Sequence, residues 1–293
     1  MNGVVATIGA FDGVHLGHRW LLHQIVERAR QLGCRSAAIT FHPHPDQVIY
    51  PDRALTFLTD LEEKQGLMRE MGVDQVTVFE FTRELSMLRP DEFIDMIQAR
   101  HPLQELWIGP DFALGRGRSG SALALAEIGR AEGFALHMVP PLRLAHESVS
   151  STYIRSLLAE GEVGHANRLL GRDYSLCGEV VSGHQRGRQL GFPTANLQIP
   201  SQRAMPADGV YAARAAWDGR DALAVVNLGN RPTFGDDFRL LEAHLIDTSV
   251  DLYGQRLCIR FTQRLRGIMK FASIDELREQ IAADRSAAIA ALA

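Results

Sequence analysis

The chain has 293 residues, enough for about two domains at ~150 residues each. Hydrophobic residues make up 46% and charged residues 23%, the composition of folded globular domains, which excludes a disordered chain. The formal net charge is −4, with 17 basic and 21 acidic residues in 1–172 and 14 of each in 173–293. Bulk charge therefore points to neither nucleic acid nor an anionic membrane as partner.

The first half alternates strand and helix patterns. Residues 1–11 are apolar but lack a basic flank and a cleavage site, so they read as a buried strand, with its apolar run at 4–9, rather than a signal peptide. Residues 16–32 have helical spacing at Leu21, Leu22, Ile25, Val26 and Ala29. Then follow a strand at 36–41, a helix at 61–71 closed by Gly72, a strand at 75–81 and a helix from Pro90 through Ile97. A strand at 106–109, a helix at 121–132 ended by Gly133 and a strand at 134–140 complete a rhythm that implies a parallel sheet with helices on both faces. Two short helices are expected at 151–160 and 163–170.

After Gly171 the pattern changes. Residues 175–182, 209–216, 222–227, 240–246 and 257–262 are β-type runs separated by Gly, Pro and Asp turns, the mark of an antiparallel barrel or sandwich. Residues 273–293 read as a closing helix, with Ser273 and Glu276 in capping-box spacing. The boundary between the two classes falls near Arg172, giving domains 1–172 and 173–293. No run approaches the ~18 apolar residues of a membrane helix. Cys34, Cys177 and Cys258 are odd in number and far apart, with neither metal spacing nor a disulfide framework, so a reducing cytoplasm is expected. Only Lys64 and Lys270 are lysines among 31 basic residues; the planar fork of arginine suits phosphate binding, and codon bias is the preferred reading of the two.

Chemistry concentrates in a few strings. Gly9-Ala10-Phe11-Asp12-Gly13-Val14-His15-Leu16-Gly17-His18 lies between the first strand and first helix, where a doubly wound sheet binds ligands. A helix start there offers free N–H groups to phosphate. His15 and His18, three apart, share a face and can donate hydrogen bonds as charge moves to a leaving pyrophosphate. Gly17 leaves room for close approach of a nucleotide. A pair of helix-capping histidines is the bland alternative. Ser150-Ser151-Thr152-Tyr153-Ile154-Arg155 is a hydroxyl-rich helix start followed by an arginine, which alone would read as an ordinary cap. His42 and His44 make a poor metal site for want of partners. Gly115-Arg116-Gly117-Arg118-Ser119-Gly120 fits G-x-G-x-x-G but does not follow the first strand, and no Walker A loop occurs. In the second half, Gly183, Gly187 and Gly191, with Arg188 between them, form a loop whose amides can cradle phosphates. Thr194 and Asn196 bring oxygen ligands suited to Mg²⁺. Alternation puts Glu242 and His244 on one strand face, where Glu242 can accept a proton from an attacking hydroxyl.

His15-Leu16-Gly17-His18 resembles the HxGH signature of nucleotidyltransferases. Taken with Phe41-His42-Pro43-His44-Pro45, Gly109-Pro110-Asp111-Phe112, the serine-rich helix start, residues 178–196, Asn227-Leu228-Gly229-Asn230-Arg231-Pro232-Thr233, Asp251-Leu252-Tyr253-Gly254 and Arg264-Leu265-Arg266, the whole chain resembles the prokaryotic bifunctional riboflavin kinase/FMN adenylyltransferases. The resemblance implies a doubly wound α/β nucleotidyltransferase-like domain followed by an antiparallel β-barrel domain with a C-terminal helix. It implies a barrel that makes FMN from riboflavin and ATP, and an N-terminal domain that adenylylates FMN to FAD with release of pyrophosphate. By motif, His15 and His18 serve adenylyl transfer. Gly9, Phe11, Asp12, Gly17, Asp111, Ser151, Thr152 and Arg155 bind its nucleotide. Gly183, Gly187, Arg188, Gly191, Thr194 and Asn196 bind the kinase nucleotide, the last two also Mg²⁺, and Glu242 is the kinase base. The expected ligands are riboflavin, FMN, FAD, ATP and Mg²⁺, with no nucleic acid, no membrane and a homo-oligomer left open.

The chain departs from that family in two places. Members usually carry a leading segment before the first strand, and they commonly have an acidic residue where Gly267-Ile268-Met269 follows Arg266. Three alternatives stay open on sequence: another HxGH nucleotidyltransferase with an accessory barrel, a non-catalytic flavin- or nucleotide-sensing regulator, and a single-stranded nucleic-acid module. The 183–196 loop argues against the first, the intact His15/His18 and Glu242 set against the second, and the balanced charge against the third.

Overall fold

Apolar runs too short for helices become buried strands, and the amphipathic segments between them cover both faces. The computed structural model describes residues 3–110, 112–144, 147–182, 191–229 and 238–293. Strands β1 (Val4–Ile8), β2 (Arg35–His42), β3 (Gln75–Glu80), β4 (Leu103–Ile108) and β5 (Ala135–Met138) form a parallel sheet in the order β3-β2-β1-β4-β5. β1 is central and buried along its whole length. Helices α1 (Leu16–Leu32) and α3 (Leu61–Glu70) bury Leu22, Ile25 and Met68 on one face, where Val5 and Ala38 meet them. Helices α5 (Pro90–Gln98) and α6 (Ala122–Glu132) bury Phe93, Ile97 and Leu125 on the other, against Ala6 and Ile8. The five apolar positions expected to face inward from α1 are its buried residues. Gly33 and Gly133 end α1 and α6 at φ 64° and 82°, left-handed positions that glycine takes without a Cβ clash.

Two short helices, α2 (Pro45–Ile49) and α4 (Arg83–Ser86), and a two-stranded ribbon, β6 (Arg143–Leu144) with β7 (Glu147–Ser148), were not expected. Each is too short to show a period. His44, weighed as a metal ligand, instead caps α2, its Nδ1 accepting from the Asp46 amide at 3.1 Å. The G-x-G-x-x-G loop is a tight turn. A side chain at Gly115 would meet Pro90 N at 3.0 Å, and one at Gly120 would meet Leu114 O at 2.8 Å, so packing accounts for those glycines.

Helices α7 (Ser151–Glu160) and α8 (Val163–Leu170) lead into an antiparallel closed barrel. Its strands are β8 (Tyr174–Val181), β9 (Ala195–Pro200), β10 (Gly209–Trp217), β11 (Arg220–Leu228), β12 (Phe238–Leu245) and β13 (Arg256–Arg266), in the order β10-β11-β12-β9-β8-β13. Strand β9 was missed because its first residues sit in a string that reads as a loop ligand motif. Without β9 the barrel would be open between β8 and β12, which both pair with it. Tyr174, Tyr211 and Phe261 fill the interior. Helix α9 (Ile274–Leu292) lays Ala288 and Leu292 on the outer wall against Val210, Ala212 and Val225. Ser273 Oγ caps it, accepting from the Glu276 amide at 3.1 Å, while Glu276 accepts from Ala272 N at 2.7 Å.

By packing, the chain divides into residues 1–55 with 59–151, and residues 56–58 with 152–293. Helices α7 and α8 thus cluster with the barrel, although strand chemistry changes only at residue 172. One expectation is corrected. Cys177 and Cys258 lie directly opposite each other across β8 and β13 and are disulfide-bonded. Their 81-residue separation hid a pairing that strand register alone creates. With two of its three cysteines bonded, the chain's cysteine usage does not mark a reducing compartment. Among the described residues no helix is long and apolar enough to cross a membrane.

Candidate functional site

β1 pairs with β2 on one side and β4 on the other, so the strand order reverses at β1/β4 and opens the crevice in which doubly wound sheets hold ligands. The loop after β1 lies there and is tightly held. Thr40 Oγ1 donates to the Ala10 carbonyl at 3.2 Å. Thr59 Oγ1 accepts from the Gly13 amide at 3.0 Å, while the Thr59 amide donates to Asp12 Oδ1 at 3.3 Å. Ser151 Oγ donates to the Asp12 carbonyl at 2.8 Å. These anchors hold Phe11 and Val14 at φ 50° and 39°, a left-handed conformation that costs a non-glycine residue, and a β-branched one most.

The loop delivers two imidazoles. The rings of His15 and His18 stack with centroids 3.6 Å apart at 15°, and Phe11 meets His18 edge-on at 5.2 Å. His15 caps α1: its Nδ1 accepts from the His18 amide at 3.3 Å, so a neutral His15 carries its proton on Nε2. Burial, the adjacent His15 and then Lys64 hold His18 well below the usual histidine range, so it is neutral at neutral pH. His18 Nδ1 is shielded from solvent without a hydrogen-bond partner. The first-turn amides of Leu16 and Gly17 have no acceptor among the described residues, the arrangement that receives an anion at a helix start. A side chain at Gly17 would meet the His15 ring at 3.2 Å, and one at Gly9 the Phe11 ring at 3.2 Å. Both glycines thus make room first for the loop's own rings.

Of the expected residues, Gly9, Phe11, Asp12, His15, Gly17, His18 and Ser151 come together on this loop or against it. Thr152 and Arg155 belong to the second packing unit, where Arg155 Nη2 donates to Thr152 Oγ1 at 3.2 Å. Asp111, Gly183, Gly187 and Arg188 lie outside the described residues. Thr59 was missed by sequence reading: it precedes the Asp60 cap of α3, and no local spacing ties it to a loop 46 residues away.

The barrel carries the second set. Leu241, Ala243 and Leu245 point inward and are buried, so Glu242 and His244 take the outer face, as alternation requires. Register places Glu242 directly between Asn196 of β9 and Asn227 of β11. Directly opposed side chains in such ladders start about 5 Å apart at Cβ. Asn196 is buried. His244 Nδ1 donates to the Pro193 carbonyl at 2.8 Å and its ring meets Phe192 edge-on, which fixes the segment leading to Thr194. Thr194 lines a cavity of about 420 Å³ with Val180, Tyr253 and neighbouring residues, and Glu242 is not among its lining residues. Gly191 precedes this segment at φ 89°. No group of three or more His, Cys, Asp or Glu among the described residues is placed to hold a metal.

A parallel sheet with a histidine-bearing helix start at its switch point, joined to a closed barrel with an Asn/Glu/Asn row, defines a two-domain nucleotide-handling transferase. The FAD synthetase family matches residues 1–153, and the riboflavin kinase family matches residues 170–292. Bifunctional riboflavin kinase/FMN adenylyltransferases are similar along nearly the full length. The one from Escherichia coli strain K12 is 38% identical, covering 97% of this chain and 91% of the relative. The one from Pseudomonas fluorescens is 40% identical over 98% and 92%, and that from Bacillus subtilis strain 168 is 35% identical over 97% and 91%. A solved structure from Streptococcus pneumoniae, titled a macrolide-efflux protein, matches with a TM-score of 0.89 and 28% identity over 98% of this chain and 94% of that one. The chain belongs to the bifunctional riboflavin kinase/FMN adenylyltransferase family: its N-terminal domain is the FMN adenylyltransferase and its C-terminal domain the riboflavin kinase.

Proposed function

We propose that residues 1–172 adenylylate FMN at the His15/His18 loop and residues 173–293 phosphorylate riboflavin at the Glu242 row, each site taking its own ATP. The observation that supports this division is that the His15/His18 loop and the Glu242 row sit on separate packing units. At the first site an FMN phosphate oxygen attacks the α-phosphorus of ATP. The Leu16 and Gly17 amides and the neutral His18 receive the phosphate oxygens, and the charge building on pyrophosphate is met by donors already in place. By motif, Asp111 holds the nucleotide. At the second site Glu242 takes the proton of the riboflavin hydroxyl as it attacks the γ-phosphorus. Gly183, Gly187, Arg188 and Gly191 cradle the phosphates.

Thr194 and Asn196 fit Mg²⁺ as neutral oxygen donors, too few for a dedicated cage and suited to an ion shared with ATP phosphates. Thr194 and Asn196 would hold the ion, which when bound would neutralise charge on the transferring phosphoryl group. A supply of ATP places the enzyme in the cytoplasm.

The test is a pair of variants in the full chain. His18→Ala is expected to cut FAD formation by ~10²–10³-fold and let FMN accumulate. Glu242→Gln is expected to cut FMN formation by ~10²–10⁴-fold while added FMN still becomes FAD. Mixing the two variants restores FAD from riboflavin. Parallel loss of both activities in either folded variant would refute the division.

A further inference from the structure

Lys64 is one of two lysines in the chain, and it is 7% exposed. It sits on the first turn of α3, and its Nζ donates to the Ala10 carbonyl at 3.0 Å and the Phe41 carbonyl at 3.3 Å. Ala10 belongs to the loop after β1, and Phe41 to the end of β2. One ammonium therefore ties two strand ends together at the histidine loop. No carboxylate forms an ion pair with it among the described residues. Burying an ammonium on two carbonyls, without an ion pair at contact distance, carries a desolvation cost. Asp12 in the loop and His18 on α1 interact with it electrostatically; Asp60 caps α3, Glu62 and Glu63 stand in its first turn, and His42 is exposed beside Phe41. Burial pulls the lysine pKa down to about 8, against the opposing charge of Asp12. Arginine would be too broad for two converging carbonyls and would stay charged.

We propose that Lys64 is a positioning residue of the adenylyl-transfer site: its ammonium pins the loop that carries His15 and His18 onto the end of β2, and adenylyl transfer requires that ammonium to be charged. This rests on the reading of His15 and His18 as that site. Charged Lys64 also disfavours a second cation at His18, the neutral form of which is the phosphate donor.

The experiment measures FAD formation from FMN and ATP by the full-length protein from about pH 6.5 to 10, with FMN formation from riboflavin as the control for folding. The wild-type rate should fall on an alkaline limb centred near pH 8. Lys64→Met should lower kcat by ~10- to 100-fold with little change in the KM for ATP, remove the limb and spare the kinase. Lys64→Arg should move the limb up by at least about one pH unit, whatever its plateau. A wild-type rate that is flat from about pH 7 to 9.5 overturns the proposal whether or not the variants fold. A limb that both variants retain unchanged also overturns it. His18→Ala in the same assay separates the two ideas. An active His18→Ala protein removes the site reading itself. An inactive one beside Lys64 variants that match wild type removes only the role of Lys64.

Discussion

Replacing Thr59 by valine keeps the side-chain shape and removes one hydroxyl from beneath the histidine loop. That hydroxyl is an acceptor for the Gly13 amide at 3.0 Å, and Thr59 is buried. Taking the acceptor from a buried donor costs about 1–3 kcal/mol. The loop is the element most ready to yield, because Phe11 and Val14 are held in left-handed backbone only by their surroundings. If the loop relaxes while the unit stays folded, the same energy appears as lost positioning of His15 and His18. That corresponds to a roughly 5- to 150-fold slower FAD formation. The assay compares FAD formation from FMN and FMN formation from riboflavin in full-length protein, together with thermal unfolding. Kinase activity should be untouched, and Thr59→Ser, which keeps the hydroxyl, should stay near wild type. A Thr59→Val protein with unchanged unfolding and FAD formation within about twofold of wild type would refute the view that these anchors hold the site.

Other outcomes follow from the same structure. A fragment of residues 152–293 should unfold at a higher temperature than one of residues 173–293, both lacking residues 56–58. The shorter one loses Val163, Leu169 and Leu170 from the interface, and with them Asn167, which donates to Asp173 at 3.0 Å and Phe261 O at 2.7 Å and accepts from Tyr174 N at 2.8 Å. Equal melting of the two would contradict that packing. The lowered His18 pKa means that the folded state binds fewer protons than the unfolded one between the two values. Stability contributed by a neutral His18 is present above about pH 6.5 and lost as the pH falls toward the folded value, and unfolding of His18→Ala should lack this component. Chelating divalent ions should stop FMN formation, and added Mg²⁺ should restore it; full activity in a chelator would remove Thr194 and Asn196 as ligands.

Most of the fold was legible where periodicity is strong. The α1 stripe of Leu21, Leu22, Ile25, Val26 and Ala29 gave both the helix and its buried face. The alternation around Glu242 gave the strand and the outward turn of its carboxylate. What stayed hidden depends on register or on distance along the chain. Ala195–Pro200 carries a ligand-like string at its start and a proline at its end, so its role as a barrel strand emerges only through pairing with β8 and β12. Cys177 and Cys258 meet because β8 and β13 are antiparallel in one particular register. At the site, the histidine string was visible as a motif, but its supports, Thr59, Thr40 and Lys64, come from other elements. Lys64 alone left a trace, as a rare lysine in an arginine-rich chain.

One chain carries riboflavin to FAD by two separate phosphorus chemistries. The most direct measurement incubates the purified protein with riboflavin, ATP and Mg²⁺, follows the flavins by chromatography and follows pyrophosphate in parallel. FMN should appear first, without pyrophosphate. FAD should follow, with one pyrophosphate released for each FAD formed. Riboflavin recovered unchanged across varied Mg²⁺, or pyrophosphate released in step with FMN, would contradict the account.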